Sequence, residues 1–213
     1  MYSTAQPNSE SISSGEAAIL EAAEVLFAEK GFDAVSIRAI AGKADVCKAN
    51  VFHHFGSKEG LYLAVLRSAV TESKQILEEL EGASGNQQER LRQFAGRHLR
   101  SILGHPHVSR LILREALEGG SERGKELAEK IVGDNFSQLV DLCRAGQKSG
   151  ELRPELDPAL VATLMVAANV FFFEAASVMR HIPEIKFYDD PQAYSAGVMD
   201  ILLNGMANKK GER

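Results

Sequence analysis

Apolar residues recur at intervals of three and four from Gly15 almost to the end of this chain, and nowhere do they alternate with polar ones as a half-buried strand requires. A chain with that period buries its apolar surface only by packing helix on helix, so an all-α fold of about nine helices is expected. Ile19, Ala22, Ala23, Leu26 and Phe27 form one face of a first helix that should stop at Gly31, a natural left-handed cap. Ser36 can cap a second, short helix carrying Ile37, Ile40 and Ala41. That helix should end around Lys43, Ala44 and Asp45, after which residues 46–55 make a third short segment. Two short helices with a tight joint are helix-turn-helix geometry.

The remaining punctuation marks helix ends. Ser57 should cap a linking helix with the stripe Leu61, Tyr62, Val65, Leu66 and Ala69, and a Gly/Ser/Asn break follows at residues 82–86. His105-Pro106 opens a helix, Gly119-Gly120 closes it, and a longer one should run to about Ser149. Asp157-Pro158 and Asp190-Pro191 each put a capping carboxylate before a proline at the first helical position, which predicts two more starts. The domain organisation expected is a disordered polar arm at 1–14, a helix-turn-helix domain at 15–60, and a helical effector-binding and dimerisation domain at 61–207.

Charge separates the two ends. The net charge of -5 argues against a uniformly basic protein, yet between Val35 and Val70 there are five basic residues against two acidic ones. Only Cys47 and Cys143 are present, without ligand spacing, so neither a disulfide framework nor a metal site is expected, and a reducing cytoplasm fits. His98, His105 and His107 lack a fourth ligand, so capping and surface roles are the reading for them. The longest apolar stretch is broken by Thr163, Asn169 and Glu174, and no leader-like segment appears, so a soluble protein without a membrane partner is expected. No phosphate loop, nucleophile–base spacing or recognisable carboxylate pair supports an enzyme or a cofactor.

The segment from Val35 to Leu66, with Phe27 and Gly31-Phe32 before it, Ile40-Ala41, Val46, Phe52-His53-His54-Phe55 and Ser57-Lys58, resembles the DNA-binding signature of the TetR family of transcriptional regulators. A recognition helix anchors its back with apolar residues, here Val46, Val51 and Phe55. That leaves Cys47, Lys48, Ala49, Asn50, Phe52 and His53 to approach the major groove. The resemblance implies that Ser36, residues 47–50, Phe52, His53 and Lys58 touch a double-stranded operator. Three positions depart from the family pattern. Asp45 stands where glycine is usual and would have to accept left-handed geometry. Phe52 replaces a tyrosine, at a cost of about 1 kcal/mol for the lost hydroxyl bond. Cys47 replaces Ser or Thr at the start of the recognition helix, which makes it a candidate redox switch beside the plainer reading as a small capping residue.

The same resemblance implies a C-terminal effector pocket. Apolar character with occasional polar groups marks Phe94, His98, Leu113, Phe136, Met165, Asn169, Phe172 and Phe173 as candidate lining, each of which plain helix packing would equally explain. The helix after Pro158 is almost without a polar face and the last helix carries more apolar surface than a lone terminal helix should, which points to a homodimer interface through Val170, Phe171, Tyr194, Val198, Ile201 and Leu202. A ligand-responsive repressor released by a small apolar or amphipathic effector is the expected function. The alternatives are an architectural or adaptor protein with a protein partner, or a ligand-binding module whose DNA-binding head has decayed.

Overall fold

The computed structural model describes residues 14–83, 85–118 and 120–206, and the expected arm at 1–14 lies outside them except for Ser14, which opens the first helix. The helices in order are α1 (Ser14–Ala34), α2 (Ile37–Lys43), α3 (Lys48–Phe55), α4 (Lys58–Glu81), α5 (Gln87–Gly104), α6 (Pro106–Glu118), α7 (Gly120–Leu127), α8 (Gly133–Lys148), α9 (Pro158–Met179) and α10 (Pro191–Met206). A π-helical turn at Ala128–Val132 joins α7 to α8 as one rod, so nine rods make an all-α fold with no strand among the described residues. Two compact units divide between Leu66 and Arg67, inside α4 and later than the expected 60/61 division.

In the first unit, Ile19, Phe27, Ile40 and Leu61 are wholly buried, and Val51 is 1% exposed. Phe27, Phe32 and Tyr62 form a ring cluster with centroids 4.9–5.9 Å apart. That cluster ties the first turn of α4 to α1, which is why the unit extends past residue 60. Gly31 does break α1, but with φ 78° and ψ 166°, a mirror-extended conformation instead of the expected left-handed helical one. Only glycine enters that region readily, and it swings Phe32 back onto Phe27.

In the second unit α5 packs against α8, α9 and α10, and α8 against α9. One large apolar cluster runs through these helices, including Leu91, Phe94, Leu139, Cys143, Met165 and Leu203. A smaller cluster groups Leu99, Phe172 and Tyr188. Caps sit where proline and carboxylate place them: Asp157 accepts from the Ala159 amide at 2.8 Å, and Asp190 from those of Gln192 and Ala193 at 3.0 and 2.9 Å. The Glu151 carboxylate accepts from the Gln87 and Gln88 amides at 2.8 and 3.3 Å, so the α8–α9 loop adds to the Asn86 cap, which accepts from the Glu89 amide at 2.8 Å, at the N-terminus of α5.

Candidate nucleic-acid interface and interior cavity

Cys47, Lys48, Ala49, Asn50, Phe52 and His53 are all exposed, while Val51 is buried on the opposite side of α3. Lys48, Ala49, Phe52 and His53 stand at i, i+1, i+4 and i+5 and therefore share one face of the helix. Cys47 is the N-cap by position, but its side chain makes no capping bond. The thiol instead donates to Asn50 Oδ1 at 3.5 Å. Ser36 is exposed and caps α2, accepting from the Ala39 amide at 3.2 Å while its hydroxyl proton stays available. Lys58 is held back from open solvent: its ammonium lies 4.3 Å from the Phe32 ring centre and donates to the Asp33 carbonyl at 3.4 Å. Val46 and Phe55 are partly buried, and the His54 imidazole, itself mostly covered, lies 4.0 Å from the Glu16 carboxylate.

Asp45 takes φ 54°, the only positive φ outside glycine among the described residues, so this carboxylate does occupy the left-handed turn before α3. Gly60 is a determinant that the sequence reading passed over. A Cβ there would lie 2.2 Å from the Phe55 carbonyl oxygen, so glycine lets α4 start directly against the end of α3. Its signal was a glycine inside the first turn of a helix, where alanine would otherwise be favoured. Arg38 and Lys43, exposed on α2, were likewise outside the candidate set and visible only in the charge count.

The second unit holds a partly open cavity of about 320 Å³. Phe94, His98, Leu113, Phe136 and Phe173 line it, together with Val70, Ser73, Ser101, Ile102, Asn135, Val166 and others from α4 to α9. Three expected lining residues do not. Met165 is 1% exposed within the main cluster, and Phe172 is wholly buried, stacked on Tyr188 at 4.4 Å. Asn169 stands behind His98, its amide nitrogen 3.1 Å from Nδ1 and 2.9 Å from the Ala95 carbonyl oxygen. Burial holds the His98 imidazole down at a pKa of about 4, so it is neutral near pH 7.

The residues expected at a dimer face divide between the interior and the surface of the single chain. Val170 lines the cavity, the Tyr194 hydroxyl donates to the Ala168 carbonyl at 2.7 Å, and Leu202 packs on the main cluster. Val198 is partly exposed, whereas Phe171 and Ile201 are 54% and 76% exposed. Leu160, Leu164 and Val178 join Phe171 on the bare side of α9. By length and composition α9 would cross a membrane, but its other side packs on α5 and α8 and buries the polar Asn169.

Residues 19–65 match the family profile described as bacterial regulatory proteins, tetR family, and residues 88–197 that described as tetracyclin repressor-like, C-terminal domain. The chain is 29% identical over 195 residues to the HTH-type transcriptional regulator RutR of Escherichia coli K12, covering 88% of this chain and 87% of that protein. It is 28% identical over 151 residues to the HTH-type transcriptional repressor KstR2 of Mycobacterium tuberculosis H37Rv, covering 70% and 75%. Among solved structures, the fatty acid degradation regulator FadR from Bacillus halodurans superposes with a TM-score of 0.75 at 18% identity, over 92% of this chain and 98% of that one.

Proposed function

The chain belongs to the TetR family of bacterial regulatory proteins, transcriptional regulators and not enzymes, and from that premise we propose that it is a ligand-responsive repressor. Acting in the cytoplasm as a homodimer, it holds a palindromic operator and releases it when a small apolar or amphipathic molecule fills the cavity. The observation that carries this reading is the pairing of an exposed recognition face on α3 with a partly open, mostly apolar cavity in the other unit.

On DNA, Lys48 would bond a guanine edge or a phosphate and Asn50 an adenine edge or a phosphate, while Ala49 and Phe52 suit thymine methyls. Ser36, Cys47, His53 and Lys58 complete the contact set, Lys58 through the N-terminus of α4. Dimerisation would cover Phe171 and Ile201 together with Leu160, Leu164 and Val178. Two heads must then sit about 34–36 Å apart to enter successive major grooves. α4 belongs to both units, its Leu61–Leu66 turns to the head and its Ala69, Val70, Ser73 and Leu77 to the cavity wall, so a ligand that displaces the wall acts on a helix the head shares. The cavity favours a small-molecule effector over the alternative of an adaptor with a protein partner.

Titration against the DNA upstream of its own gene, at stated salt, tests the reading. Saturable binding should weaken at least about tenfold in Lys48→Ala, the loss of one bidentate base contact or of a charged phosphate contact. Equally weak binding by both proteins would discard the repressor reading.

A further inference from the structure

If the cavity is the effector site, as proposed above, its lining also specifies which chemistry it admits. None of the lining residues is Asp, Glu, Lys or Arg. Arg110 has its guanidinium 5.3 Å from the centre of the Phe173 ring but is not part of the lining. An ion entering this space would shed its water and meet no counter-charge, a far larger penalty than burying a neutral acceptor.

The polar groups of the lining narrow the choice further. The Asn135 amide nitrogen is spent on the Val70 carbonyl at 2.7 Å, and the Ser109 hydroxyl on the Ile102 carbonyl at 3.3 Å. His98 is different. Asn169 presents its amide to the Ala95 carbonyl oxygen at 2.9 Å, and because a carbonyl only accepts, the atom facing it is Nδ2. That same nitrogen lies 3.1 Å from His98 Nδ1 and has only protons to offer, so Nδ1 accepts. The proton of the neutral ring is therefore on Nε2. The ring plane is set by Phe94, stacked at 5.3 Å with an 11° tilt. No described residue accepts from Nε2, and the ring lines the cavity. Since burial keeps the ring neutral near pH 7, it offers a hydrogen-bond donor without a charge.

We propose that the cavity takes an uncharged, largely apolar molecule bearing a carbonyl or similar oxygen acceptor, and that His98 Nε2–H donates to that oxygen. Asn169 acts as a positioning residue that holds the tautomer.

2-Decanone, decanoate and decylammonium share a chain and differ in the charge of the head. Titrated by calorimetry into the full-length, DNA-free protein at neutral pH, the ketone should bind at least about tenfold more tightly than either ion. His98→Phe keeps a flat ring beside Phe94 and should weaken the ketone by about five- to tenfold. Nitrogen-15 NMR of the wild type should find His98 protonated at Nε2 and bare at Nδ1, and Asn169→Ala should mix the two tautomers. The wild-type spectrum keeps the test decisive even where a variant folds poorly. Decanoate binding as tightly as the ketone, no ketone binding, ketone affinity unchanged in His98→Phe, or a proton on Nδ1 would each overturn the proposal. Operator binding is recorded separately: a ketone held through His98 that leaves operator affinity unchanged would sink the release mechanism and leave this assignment standing.

Discussion

Asp45 shows how one residue serves geometry and charge at once. At φ 54° it occupies a conformation that costs an L-residue roughly 1–2 kcal/mol unless its side chain can relieve it, as Asp and Asn do better than most. Asp45→Val should lower stability by about 1–2 kcal/mol in urea unfolding, whereas Asp45→Gly should stay within about 0.5 kcal/mol and bind operator more tightly, because a negative charge beside the phosphates is gone. An Asp45→Val protein as stable as the wild type would mean that the turn relaxes to negative φ. His98 gives a pH signature with a definite sign. Its folded pKa of about 4 lies below the unfolded value of 6.5, so the unfolded chain binds the proton first as pH falls. Stability is full above pH 6.5, declines as pH falls from 6.5 to about 4, and levels off below that; the loss amounts to about 3 kcal/mol. His98→Phe should lack that component when unfolding is compared at pH 7 and pH 5, and an identical decline in both proteins would remove His98 as its source.

At the scale of elements, the π turn is the feature most open to test. The Gly133 amide donates to the Ala128 carbonyl five residues back, and a Cβ on Gly133 would stand 2.4 Å from that oxygen. Gly133→Ala should therefore expel the turn and destabilise by about 1–3 kcal/mol. Gly124→Ala lies on the same rod with nothing within 4 Å of the new Cβ and should instead stabilise by up to about 1 kcal/mol. Thermal melts of the two variants moving in the same direction would contradict this account. Because Val132 closes the π turn and also lines the cavity, the same change should alter ligand binding. Helix starts were readable in advance, since Asp157-Pro158, Asp190-Pro191, Ser36 and Ser57 each combine a capping side chain with the backbone that needs it. The π turn was not, because five residues of Ala-Glu-Lys-Ile-Val read as ordinary helix and only the crowding at Gly133 sets them apart.

For the molecule as a whole, one side of α9 and Ile201 of α10 remain bare within a single chain. Stable dimers bury about 1,200–2,000 Å² with an apolar centre, and a patch of Leu and Phe in water is the surface such an interface consumes. Phe171→Glu combined with Ile201→Glu should yield a monomer by light scattering at micromolar concentration and abolish operator binding while leaving helix content intact. A double variant that stays dimeric would move the interface elsewhere.

The all-helical class, the order of the helices and the exposed face of α3 were determined by the sequence alone, because each depends on local spacing: 3.6-residue periodicity, caps and prolines, and a short helix with Val51 at its back. Which residues look into the cavity was decided only by tertiary structure. α9 is apolar nearly all round, so nothing in its sequence distinguishes Phe173, which lines the cavity, from Phe172, which stacks on Tyr188, or from Phe171, which is left bare. Three consecutive phenylalanines point about 100° apart on a helix, and only the positions of the neighbouring helices assign each one its surroundings.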